Sequence, residues 1–159
     1  MEALKIVQEP SEDRFATFGL DLSNTETLKR LRPTISAALG PALDGLYDNI
    51  RANPGLRAFF QDEQHMERSK EAQRRHWLAI CNGRFDDDYQ ERAHRIGKTH
   101  ARIGLRPIDY IGGYSHVCDA LIAAVVSEHL GRSSRLFGFR RTDVDGLTLD
   151  ICTLIKATL

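Results

Sequence analysis

Gly97-Lys98-Thr99-His100-Ala101-Arg102-Ile103-Gly104-Leu105-Arg106-Pro107 reads as the end of one helix, a tight turn and the start of another. Ahead of the turn, Tyr89, Ala93, Ile96 and His100 recur at intervals of four, three and four, which places the histidine on the inward face of an amphipathic helix. Gly104 can take the positive φ that stops a helix. Pro107 has its φ preset for the first turn of the next one. His100 is therefore expected in a last helical turn, facing inward, where an imidazole can bind a metal held in the core. Spacing alone does not make it a ligand, because a single inward histidine is more often a hydrogen-bonded core residue.

Working outward, the helix is expected over Phe85 to Ala101, with Asp86, Asp87 and Asp88 at its positive end. Before it, a charged helix runs from about Asp62 to Asn82 and ends at Asn82-Gly83. Only a narrow face of its first half can be buried. Further back, Ser23-Asn24-Thr25-Glu26 is a helix entry. Leu28, Leu31, Ile35 and Leu39 form the stripe that follows. Gly40-Pro41 is expected to end that helix and open another, whose buried side is Leu43, Leu46, Tyr47 and Ile50. Asn53-Pro54-Gly55 closes it, and Leu56, Phe59 and Phe60 occupy a short turn. Beyond Pro107, a helix to about Leu130 is apolar on two adjacent stripes and must bury more than one side. Leu136, Phe137 and Phe139 anchor the connection after it. A last helix from Thr142 carries a heptad-like seam of Val144, Leu147, Ile151, Leu154 and Thr158. The seam is still in phase at Leu159, so a continuing protein is expected. No stretch reads as a strand, and seven or eight helices are expected in all.

A chain of 159 residues with a 42% hydrophobic fraction suits one globular core. Lys plus Arg equals Asp plus Glu at 22 each, which gives no electrostatic case for nucleic-acid binding. The longest apolar run, Ala120 to Val126, is far short of the roughly 20 residues that cross a bilayer. The N-terminus lacks a signal-peptide pattern, so no membrane span and a cytoplasmic location are expected. Cys81, Cys118 and Cys152 are too far apart to frame a disulfide or a metal site. No nucleophile–base pair or phosphate loop stands out, so no enzyme is expected.

The segment Thr99 to Tyr114 resembles the proximal-histidine region of the globin-coupled sensors, bacterial haem proteins with a globin-like domain ahead of a signalling module. Gln73-Arg74-Arg75-His76-Trp77-Leu78 and Gly83-Arg84-Phe85-Asp86 match the same family in order and spacing. The resemblance covers most of the chain and weakens before Leu22. It implies an all-α, globin-like fold around a pocket for haem b, with residues 1–22 as an N-terminal extension and 23–159 as the sensor domain. His100 is then the proximal iron ligand, with Tyr110 close to it. Tyr47 is the distal donor to bound O₂. A charge-assisted hydrogen bond of roughly 1.5–3 kcal/mol from that phenol changes affinity on the order of 10–100-fold.

Ser69 and Ala72 are the small residues expected beside the gas. Phe59, Phe60, Trp77 and Ile103 are expected to contact the cofactor. The family expectation is a homodimer through the two C-terminal helices, binding O₂, CO and NO and passing ligand state to an output module. Two rivals stay open. One is a protoglobin-like gas-binding or scavenging protein; the other is a haem-free helical signalling or dimerisation module. His76 invites a reading as a sixth iron ligand, but packing or a polar contact fits it better.

Overall fold

The computed structural model describes residues 22–133 together with 147, 150 and 151. All secondary structure in this part is helical. The helices are α1 (Leu22–Ala52), α2 (Pro54–Arg57), α3 (Glu63–Ile80), α4 (Asp87–Ile103) and α5 (Pro107–Ser133). Residues 147, 150 and 151 are helical as well. Phe15, Phe18 and Leu20, the Leu136-Phe137-Phe139 anchor and most of the terminal seam lie outside the described residues.

The principal correction concerns α1. Gly40-Pro41 does not divide it; the helix runs unbroken through Pro33 and Pro41. Proline removes an amide donor and crowds the carbonyl four residues back. Both prolines are exposed, however, and the carbonyls they deprive belong to exposed Lys29 and Ala37, where water can serve instead. On the opposite side Leu28, Leu31, Ile35, Leu39, Leu43 and Leu46 form one buried stripe. That stripe is continuous only if the helix is, and its burial outweighs the local penalty.

Helix α5 packs along α1 as its main partner, and α3 and α2 also pack on α1. Val117, Leu121 and Val125 are the buried residues of α5. Two glycines set the close approach. A Cβ on Gly45 would lie 3.1 Å from His116 Nε2, and one on Gly113 would lie 3.5 Å from Leu46. By length and composition α5 is the one described helix that could cross a membrane. Its packing on α1 covers only part of that apolar surface, since 17% of the apolar window is buried.

Helix α4 is different. Its backbone packs less closely on the other described helices than α2, α3 and α5 pack on α1. Asp86 caps its start by accepting from the Tyr89 amide. Gly104, at φ 72°, closes its end as expected. The Gly104 amide donates to the Ala101 carbonyl, and the Leu105 amide donates to the His100 carbonyl. This is the paired-bond stop that a glycine in the left-handed region permits.

Candidate functional site

The closing turn of α4 fixes where His100 sits, since its own carbonyl is one of the two acceptors. The imidazole is half-buried and stacks on Tyr110, with ring centres 5.8 Å apart and planes 24° from parallel. No hydrogen bond from a described residue reaches either ring nitrogen. Burial pushes its pKa down, so the ring is neutral near pH 7. A neutral imidazole with a free lone pair is the form that binds iron. Ile103 and Tyr110, on either side of the turn, remain 41% and 40% exposed, and Ile111 is exposed beside them. Apolar surface left open around an unpartnered histidine is what a planar hydrophobic cofactor would cover.

Tyr47 lies on α1 within the core at 4% exposure. Phe60 meets it edge-on at 6.1 Å, and the Phe60 ring is in turn 5.5 Å from that of His65. The Tyr47 hydroxyl makes no hydrogen bond to a described residue. Burial pushes its pKa well up and the charge of Glu67 adds to this, so the phenol keeps its proton and remains a donor. Charged pairs hold α3 against α1 on this side. Arg51 reaches Glu63 at 3.2 Å and Glu67 at 2.9 Å, and Lys70 pairs with Asp44. Each pair is worth little alone at the surface, but together they fix the register of the two helices.

The other expected contacts are spread more widely. Phe59 is half-buried beside Phe60. Ser69 is half-buried, and its hydroxyl donates to the His65 carbonyl at 2.9 Å. Ala72 is exposed. Trp77 is almost fully buried, lies 5.2 Å from the Tyr114 ring, and its indole N–H has no partner. The structure therefore groups Tyr47 with Phe60, His100 with Tyr110, and Trp77 with Tyr114.

His76 is engaged elsewhere than at an iron. Its Nε2 shares a 3.2 Å hydrogen bond with the Tyr114 hydroxyl, and its ring stacks on Tyr89 at 5.9 Å. Burial, with Arg92 adding, lowers its pKa, and the Tyr114 hydroxyl is pushed up to about 12. Tyr89 and Tyr114 stood in the sequence only as members of apolar stripes. A stripe marks the inward face but not which residue of another helix meets it, so this polar junction was not foreseen. His129 of α5 meets the carboxylate of Asp150 at 2.7 Å.

The arrangement fits a haem with respect to donor chemistry. One neutral histidine and one protonated phenol lie on different helices, α4 and α1. Neither makes a hydrogen bond to a described residue. A histidine with an open lone pair could serve as the protein's ligand to an iron held in a porphyrin.

Residues 9–159 match the family model described as Protoglobin. The chain is 26% identical over 116 residues to the heme-based aerotactic transducer HemAT of Halobacterium salinarum, spanning 72% of this chain and 24% of that protein. It thus spans about a quarter of the length of that relative. The globin domain of a Geobacter sulfurreducens globin-coupled sensor superposes with TM-score 0.68 at 17% identity, covering 92% of this chain and 93% of that one. The ferric globin domain of E. coli DosC superposes with TM-score 0.66 at 15% identity, covering 93% and 95%.

Proposed function

This chain belongs to the protoglobin family, and from that premise we propose that it is a haem-binding gas-sensing domain with His100 as proximal ligand and Tyr47 as distal donor. The observation that carries the proposal is the pair of groups that make no hydrogen bond to a described residue, a neutral imidazole on α4 and a protonated phenol on α1. Haem b supplies a ferrous iron able to bind diatomic gases.

The protein's own part is to orient and to discriminate. Gly104 and the turn it permits hold the His100 backbone in place, and Tyr110 stacks on its ring. Tyr47 offers one hydrogen-bond donor to a polar gas, held by Phe60 and by the charged pairs between α1 and α3. A donor favours O₂, which draws charge from iron, over CO, which draws less. O₂ is the proposed physiological ligand, with CO and NO as further ligands.

Ile103, Phe59, Phe60 and Trp77 are the proposed cofactor contacts, and Ser69 and Ala72 the small residues of the distal side. Ile108 and Leu130, exposed on α5, support a homodimer through the C-terminal helices. Ligand state would pass through that interface to a module beyond Leu159, and the domain has no catalytic step of its own.

The test is an absorption spectrum of the purified protein with added haem, in ferric, ferrous and O₂-exposed forms, alongside His100→Ala. Wild-type protein is expected to show a Soret band and a reversible O₂ spectrum, and His100→Ala to lose most of its haem. Protein that takes up no haem would refute the proposal.

A further inference from the structure

His76 joins three helices at one point. It belongs to α3, stacks on Tyr89 of α4 with the planes 15° apart, and shares its hydrogen bond with Tyr114 of α5. Tyr89 is the one buried residue of α4, and Phe85 meets it edge-on at 5.2 Å. At the other end of α4 the half-buried His100 stacks on Tyr110 of α5. The helix that carries His100 is therefore anchored near its start by Tyr89. Tyr89 and His100 are eleven residues apart in sequence, about three turns, so they share one face of α4.

We infer that His76 is a positioning residue for His100: its bond to Tyr114 fixes the pivot about which α4 turns, and so sets how the imidazole is presented. The inference rests on the proposed role of His100 and goes beyond it. A shift of the anchored start of α4 is carried along the helix to His100. The anchor is also tied to α5, so displacement of His100 has a second route to α5, beside its stack on Tyr110, through Tyr89, His76 and the Tyr114 hydroxyl.

The test uses the full chain and three variants, His76→Phe, Tyr114→Phe and the double substitution. His76→Phe keeps an aromatic ring to stack on Tyr89. Tyr114→Phe removes one oxygen and little else. Two readouts are taken: the iron–imidazole stretching band of the ferrous haem protein by resonance Raman, and amide hydrogen exchange of residues 93–103 in the haem-free protein.

Both single variants are expected to retain haem and to show a shifted or broadened band. Exchange across 93–103 should be about fivefold faster, as for the loss of one ordinary hydrogen bond. The double variant should exchange no faster than either single one, because both delete the same bond. A lowered melting temperature with the band and the 93–103 exchange unmoved would reduce His76 to ordinary packing and overturn the inference. Absence of a Soret band in wild-type protein would instead remove the haem reading itself, and this inference with it.

Discussion

Tyr47, the proposed distal donor, illustrates what one side chain must satisfy if it is to act on a gas. It must be protonated, fixed and unengaged. Burial and the charge of Glu67 keep the proton on, Phe60 fixes the ring, and no described residue takes the hydroxyl. Removing that hydroxyl should leave packing almost untouched. Tyr47→Phe is therefore expected to keep its haem and to lose O₂ on the order of 10–100 times faster, with CO release changing less. Stopped-flow displacement of O₂ by CO measures both, and equal effects on the two gases would exclude a hydrogen bond as the cause. At this scale the sequence was informative about identity and not about company. His100 and Tyr47 could be named from spacing and family resemblance, whereas the contact between His76, Tyr89 and Tyr114 joins residues far apart in the chain.

At the scale of the element, local signals were decisive wherever the backbone itself was the constraint. Gly104 ends α4 because only glycine takes that φ without strain, and Asn53 and Asp86 cap the helices that follow them. Gly83 is the sharper case. It has φ 63°, its carbonyl accepts from Thr25 Oγ1 at 3.1 Å, and a Cβ there would lie 2.9 Å from the Thr25 backbone. Gly83→Ala should destabilise the fold by about 2–3 kcal/mol, from the left-handed conformation and the clash together. A calorimetric melting temperature should fall on the order of 5–10 °C; an unchanged one would show that the α3–α4 turn can relax. Gly40-Pro41 misled for the opposite reason. There the backbone preference was a few kcal/mol and met a longer buried stripe, and the stripe prevailed.

At the scale of the whole molecule, the C-terminal segment is tied to the body by a buried charge. Asp150, fully buried, receives both arms of the Arg30 guanidinium from α1 and meets His129 of α5 at 2.7 Å. Beside it the Thr34 hydroxyl donates to Glu128. Removing one partner of such a group strands the other. Asp150→Ala frees an arginine that is half-exposed and can hydrate, for about 3 kcal/mol. Arg30→Ala leaves a carboxylate with no exposure only its contact with His129, and should cost more. Chemical denaturation of the two variants and their combination tests this, and the double variant should cost less than the sum. Reversal of the order would mean that Asp150 is not the buried charge.

The sequence by itself determined the all-helical class, the turn that places His100, the caps and stops around it, and the family that these residues resemble. Those features depend on backbone conformations and on periodicities contained within about a dozen residues. The tertiary structure alone decided that α1 is one helix, that His76, Tyr89 and Tyr114 meet, and that Arg30, His129 and Asp150 meet. Each of those outcomes depends on which buried surface or buried charge is matched by a distant part of the chain, a balance that no local window contains.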